Sequence, residues 1–91
     1  MYSNLNTVIW KFSIPVGNGS FTVEMPQDAD ILCVQDQHGK GAIWALCNPD
    51  APKIKRKFYM HGTGHPSDFT QKKYVGTLQT SNGDLIWHLF E

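Results

Sequence analysis

Tyr74-Val-Gly-Thr-Leu-Gln-Thr-Ser-Asn-Gly-Asp-Leu-Ile-Trp-His-Leu-Phe90 reads as two strands joined by one turn. Asn82-Gly83 suits a two-residue type I′ turn, because both positions need the positive φ that Asn and Gly tolerate. That turn sets the register. Leu78 falls opposite Trp87 and Thr77 opposite His88, so Leu85, Trp87 and Leu89 share one face and Ile86, His88 and Phe90 the other. Both faces are largely apolar. Leaving Ile86 and Phe90 in water forfeits about 1.5–3 kcal/mol each, so this strand is expected to lie centrally in a two-sided layer or to form half of a subunit interface. A homo-oligomer built on Ile86, His88 and Phe90 is the favoured expectation.

Upstream, short apolar or alternating runs recur between turn residues. Val8–Ile14 is rich in β-branched and aromatic residues and is stopped by Pro15. Gly17–Ser20 turns the chain into Phe21–Met25, where Phe21, Val23 and Met25 are expected inside and Thr22 and Glu24 outside. Ile31–Gln37 and Ala42–Cys47 form a hairpin across His38-Gly-Lys-Gly41. Asn48-Pro-Asp-Ala-Pro52 is irregular, since its prolines lack N–H donors and bias the preceding residues away from helix. In the next strand Ile54, Arg56, Phe58 and Met60 are expected on a buried face, with Lys55, Lys57, Tyr59 and His61 on a solvated one. Pro66–Gln71 can make one helical turn capped by Ser67 or Asp68. No long helix is expected. The fold class is all-β, about seven short antiparallel strands in a β-sandwich or small barrel, with the sandwich favoured.

Ninety-one residues support one modest core, so residues 1–91 are read as a single β domain. An apolar content of 41% with low charge is globular composition. No apolar run approaches the roughly 20 residues of a membrane span, and the first residues lack a signal-peptide layout, which points to the cytoplasm. Cys33 and Cys47, far from any C-x-x-C spacing, are read as two buried free thiols. A formal net charge of zero argues against long nucleic acid or an anionic membrane as partner. Local charge is less even, since Lys53, Lys55, Arg56, Lys57, Lys72 and Lys73 supply six of the eight basic residues.

Those cations flank Tyr59-Met-His-Gly-Thr-Gly-His-Pro66. His61 and His65, with His88 or His38 and Asp68, offer metal-ligand types, but the glycines and Pro66 make this a loop that does not force them together. Ser67, His65 and Asp68 contain triad types without a strand-to-helix nucleophile elbow. Neither a metal, a cofactor nor a catalytic residue is assigned, and an enzyme is not expected. Anion binding fits better. Gly62 and Gly64 let backbone N–H groups approach a ligand, and Arg56, Lys57, Thr63, His65, Lys72 and Lys73 are candidate phosphate contacts. Tyr59 and Tyr74 are candidate stacking surfaces for a base or ribose. The plain alternative is a tight turn beside a solvated basic face.

Four segments carry a likeness to known proteins: Ile9-Trp-Lys-Phe12, Ile43-Trp-Ala-Leu-Cys-Asn-Pro-Asp-Ala-Pro52, Gly62-Thr-Gly-His-Pro66 and Leu85-Ile-Trp-His-Leu-Phe-Glu91. On these the chain resembles a family of short bacteriophage proteins with no assigned activity. It departs from that pattern at His61 and after Pro66. The resemblance implies a phage source, and so the infected bacterial host, without a mechanism; small phage proteins include virion parts, host-takeover factors and counter-defence proteins that bind nucleotide signals between identical subunits. The reading that joins it to the basic loop is a non-enzymatic, homo-oligomeric sponge that sequesters a small phosphorylated nucleotide-derived immune signal. The alternatives are an inhibitor that binds a host protein through Ile86 and Phe90, and a minor virion protein.

Overall fold

The structure, a computed structural model, describes residues 6–91, so the reading of the first residues as leaderless falls on positions outside it. Seven strands follow in order: β1 (Val8–Ile14), β2 (Gly19–Pro26), β3 (Asp30–Gln37), β4 (Lys40–Cys47), β5 (Lys53–Gly62), β6 (Tyr74–Thr80) and β7 (Leu85–Phe90). They form two antiparallel sheets, β1-β4-β3 and β2-β5-β7-β6, packed as an open sandwich without barrel closure. No helix of the described residues is long and apolar enough to cross a membrane.

The alternation expected of half-buried strands builds the core. Phe58, Met60, Met25, Ile43 and Leu89 are fully buried between the sheets, with Val34, Ala45 and Leu78 beside them. Each large side chain so buried stabilises the fold by about 1.5–3 kcal/mol. The β6–β7 hairpin has the register its turn dictates, with Leu78 opposite Trp87 and Thr77 opposite His88. Asn82 at φ 57° and ψ 32°, Gly83 at φ 89°, and the Asp84 N–H donated to Ser81 O at 3.1 Å are the geometry of a type I′ turn. The β3–β4 connection is tighter than expected: only His38 and Gly39, both at positive φ, separate Gln37 from its partner Lys40.

Four expectations need correction. Pro66–Gln71 forms no helical turn; Asp68 Oδ1 instead accepts the Thr70 N–H at 2.9 Å, a local turn that competes with helix. Ile54 is exposed and Arg56 only half-buried, and both line an open cleft of about 780 Å³. Cys33 is half-buried rather than buried, while Cys47 is fully enclosed; both are free thiols. The third correction in the core region concerns β6. Its pairing slips between Tyr74 and Gly76, so Val75 is an extra residue and Tyr74 shares the outer face with Thr77 instead of opposing it.

Candidate functional site

The outer face of the four-stranded sheet carries the chemistry. On β5, Lys57, Tyr59 and His61 alternate with the buried Phe58 and Met60 and therefore point away from the core. β7 lies alongside, with Phe90 opposite Tyr59 and His88 opposite His61. β6 adds Tyr74 and Thr77 through its bulge. The segment from 63 to 73 crosses this face. Its Phe69 meets the His61 ring at 4.8 Å and the Phe90 ring at 5.1 Å, and Tyr74 closes the cluster against Phe90 at 5.6 Å. Part of the apolar outer face of β7, expected to be covered by a second subunit, is thus covered by this chain's own loop.

A string of polar contacts runs beside the rings. Tyr74 OH lies 2.6 Å from Thr77 Oγ1, which lies 3.0 Å from His88 Nδ1; His88 Nε2 lies 2.8 Å from Thr63 Oγ1. Thr63 is held for this by its backbone N–H, donated to Ile86 O at 3.2 Å, and Gly62 by donation to Asn18 Oδ1 at 2.8 Å. The string links one imidazole to three hydroxyls, and among the described residues no carboxylate joins it. On the other side of His61, Lys72 Nζ sits 4.1 Å and Lys57 Nζ 5.5 Å from the Tyr59 ring centroid. Such contacts hold ammonium groups over an exposed aromatic with about 0.5–1 kcal/mol each.

Between these two groups lies a cleft of about 370 Å³, lined by His61, the Gly62–Pro66 turn, Phe69, His88 and Phe90. His61 forms part of its floor. The His61 Nε2 atom is buried without a hydrogen-bond partner. Burial, then the charges of Lys72 and His88, push the His61 pKa below the ordinary histidine value. Asp68, by contrast, is held below the usual carboxylate range by its hydrogen bonds to the side chain and backbone of Thr70 and by Lys72.

The sequence-selected residues therefore divide. Lys57, Tyr59 and Lys72 converge, and Thr63, Tyr74 and His88 are joined through Thr77. His65 lines the same cleft, but its ring packs over Gly62, where an added Cβ would meet it at 3.0 Å and Trp87 at 3.3 Å. Arg56 and Lys73 stand apart. Arg56 faces the core side, donates to both Glu91 carboxylate oxygens and gives Nη1 to Ala29 O at 2.6 Å; the hydrogen bond to Glu91 raises its pKa. Lys73 lines a small separate cleft of about 180 Å³ with Arg56 and Glu91. Both are fold-side residues, not members of the outer face. Phe69 and Thr77 were not singled out in sequence. Phe69 had a signal, being a large apolar residue in a polar loop; the hairpin register placed Thr77 opposite His88, but its contact with Tyr74 depends on a bulge that no residue type announces.

Among the described residues no three His, Cys, Asp or Glu side chains come together as a metal site. His38 sits at the β3–β4 turn, away from the cleft. Burial pushes the Cys47 thiol up, which suits packing and not nucleophilic chemistry. No curated protein and no solved structure matches the chain. A family profile described as a domain of unknown function, DUF7352, matches residues 5–91, and the chain belongs to that family.

Proposed function

We propose that this protein is a non-enzymatic binding protein that sequesters a small phosphorylated nucleotide-type ligand on the outer face of its four-stranded sheet. The observation that carries the reading is the placement of the 370 Å³ aromatic cleft next to two ammonium groups. Phe90, Phe69 and the Gly62–Pro66 turn offer apolar walls to a base, and Lys57 and Lys72, one residue row away at Tyr59, offer charge to a phosphate. Thr63 and Tyr74 supply hydroxyls for a sugar. A binding site of this kind needs convergent polar groups on a largely apolar lining.

The phage likeness of the Gly62–Pro66 and Leu85–Glu91 segments supports a counter-defence role, with the ligand a nucleotide-derived immune signal of the infected cell. The same reading takes the protein as a homo-oligomer in the host cytoplasm, assembled through the part of the half-buried Ile86, His88 and Phe90 face that the loop leaves open. Calorimetric titration with cyclic dinucleotides and ADP-ribose derivatives tests the binding. Saturable heat that Lys72→Ala and Lys57→Ala weaken is the expected result; no heat with any member of the panel sinks the reading.

A further inference from the structure

Phe69 sits where a ligand ring would sit. It reaches the sheet from a segment that is otherwise bonded only to itself: Thr70 N–H to Asp68 Oδ1, Lys72 N–H to Phe69 O at 3.2 Å, and Lys72 Nζ to Asp68 O at 2.7 Å. Among the described residues, no hydrogen bond of residues 66–71 reaches a strand. The ring remains 43% exposed although it contacts both His61 and Phe90. Between Pro66 and Gln71 its seat is held by one partly buried side chain, with Lys72 over the Tyr59 ring and the Lys73–Glu91 backbone pair anchoring the loop just beyond.

The surface under it is poorly matched to a phenyl ring. His61 Nε2, on the ring that Phe69 meets edge to face, is buried with no hydrogen-bond partner among the described residues, a cost that a phenyl ring, at most a weak π acceptor, does not fully relieve. A heteroaromatic ring can, because its edge carries N–H and carbonyl or ring-nitrogen groups while its faces stack as phenyl does. The neighbours fit the rest of such a molecule. The groups facing His61 are Lys72 from the loop and His88 from β7, with Lys57 further along β5 and Tyr74 on β6; all are donors or cations, and Asp68 is turned to Thr70.

We propose that Phe69 is a displaceable stopper: a nucleobase-class ring takes its place between His61 and Phe90, hydrogen-bonds His61 Nε2 along its edge, and leaves its phosphate to Lys72 and Lys57. This rests on the ligand reading above and adds two things to it, the atom that recognises the base and a built-in competitor for the same seat. Competition lowers apparent affinity by the fraction of molecules whose seat is open. The loop thus sets a threshold below which ligand is not retained.

Adenosine monophosphate is the probe, titrated into wild-type protein, Phe69→Ala, His61→Phe and the double variant. Phe69→Ala is expected to bind on the order of tenfold more tightly than wild type, and His61→Phe to cancel that gain. Equal or weaker binding by Phe69→Ala, with wild type binding, overturns the stopper and leaves the ligand reading standing. No binding of adenosine monophosphate by wild type or Phe69→Ala overturns the stopper, and the ligand reading then stands or falls on the cyclic dinucleotide and ADP-ribose titrations alone. A measurement without nucleotide guards against a misfolded variant: the His61 ring, followed by NMR through a pH titration, should titrate closer to the ordinary histidine value in Phe69→Ala. An unchanged His61 titration in a folded Phe69→Ala protein shows that Phe69 does not cover His61 and also overturns the proposal.

Discussion

His61 and Arg56 are two residues of one strand, facing opposite ways, that meet burial differently. His61 keeps an unpartnered nitrogen, so its neutral form is favoured in the folded chain and its pKa lies below the ordinary 6.5. Above pH 6.5 the group is neutral in both folded and unfolded chains, and its contribution is complete. As pH falls below 6.5 the unfolded chain takes up the proton first, so stability declines until the folded-state pKa is passed. Urea midpoints measured from pH 7.5 to 5 should fall on the acid side, and His61→Phe should flatten part of that fall. Arg56 is instead fully engaged by Glu91 and Ala29 O. Arg56→Ala strands a half-buried carboxylate and should cost about 1.5–3 kcal/mol in chemical denaturation, whereas replacing both Arg56 and Glu91 by Met should cost less than either single change. The charge run Lys53–Lys57 concealed this division, because alternation alone places Arg56 inward and only the tertiary fold supplies Glu91 to meet it.

β6 is the element whose local irregularity does most for the face. Its bulge puts Tyr74 and Thr77 on one side, which lets Tyr74 OH reach Thr77 Oγ1, while ordinary alternation with the buried Leu78 and Thr80 turns Gly76 inward against β3. A Cβ at Gly76 would lie 2.7 Å from Val34 Cγ1, closer than side chains pack. Gly76→Ala should destabilise by about 1–3 kcal/mol, and Val34→Ala in the same chain should recover part of that loss, a coupling that a double-mutant cycle in urea would measure. The hairpin as a whole was legible, since Asn82-Gly83 determines turn type and register together. β1 and β2 were legible for a similar reason, each being an alternating run closed by proline. The bulge was not, because Val75 is as good a strand residue as any neighbour. The loop after Pro66 was misread as helical because Ser67 and Asp68 are capping types, and Asp68 satisfies the same preference with a turn at Thr70.

At the level of the molecule, the all-β sandwich follows from seven short segments that each bury one side, and that much is written in the spacing of apolar residues. The candidate site is less so. Lys57, Tyr59, Lys72, Thr63 and Tyr74 were recognisable by type, but their common face is made by strand order β5-β7-β6, a non-local pairing that no window of sequence contains. The expected assembly belongs to this scale too. Light scattering on the purified protein should give a multiple of the single-chain mass, and replacing Ile86 with Lys should lower it. A monomeric mass for the wild type would end the oligomer expectation.

The crossing between β5 and β6 also divides the chain into two parts of unequal kind. Residues 63–71 are exposed, five strands precede them, and one self-contained hairpin follows. That hairpin joins the rest of its sheet along four residue pairs, from Tyr59 with Phe90 to Gly62 with Trp87, and touches the second sheet where Gly76 meets Val34. A cut in this segment therefore leaves a five-strand receptor and a detachable insert. Made as separate polypeptides, the two pieces are natural halves for fragment complementation, with the reunited Tyr59, His61, His88 and Phe90 reporting that the insert has docked.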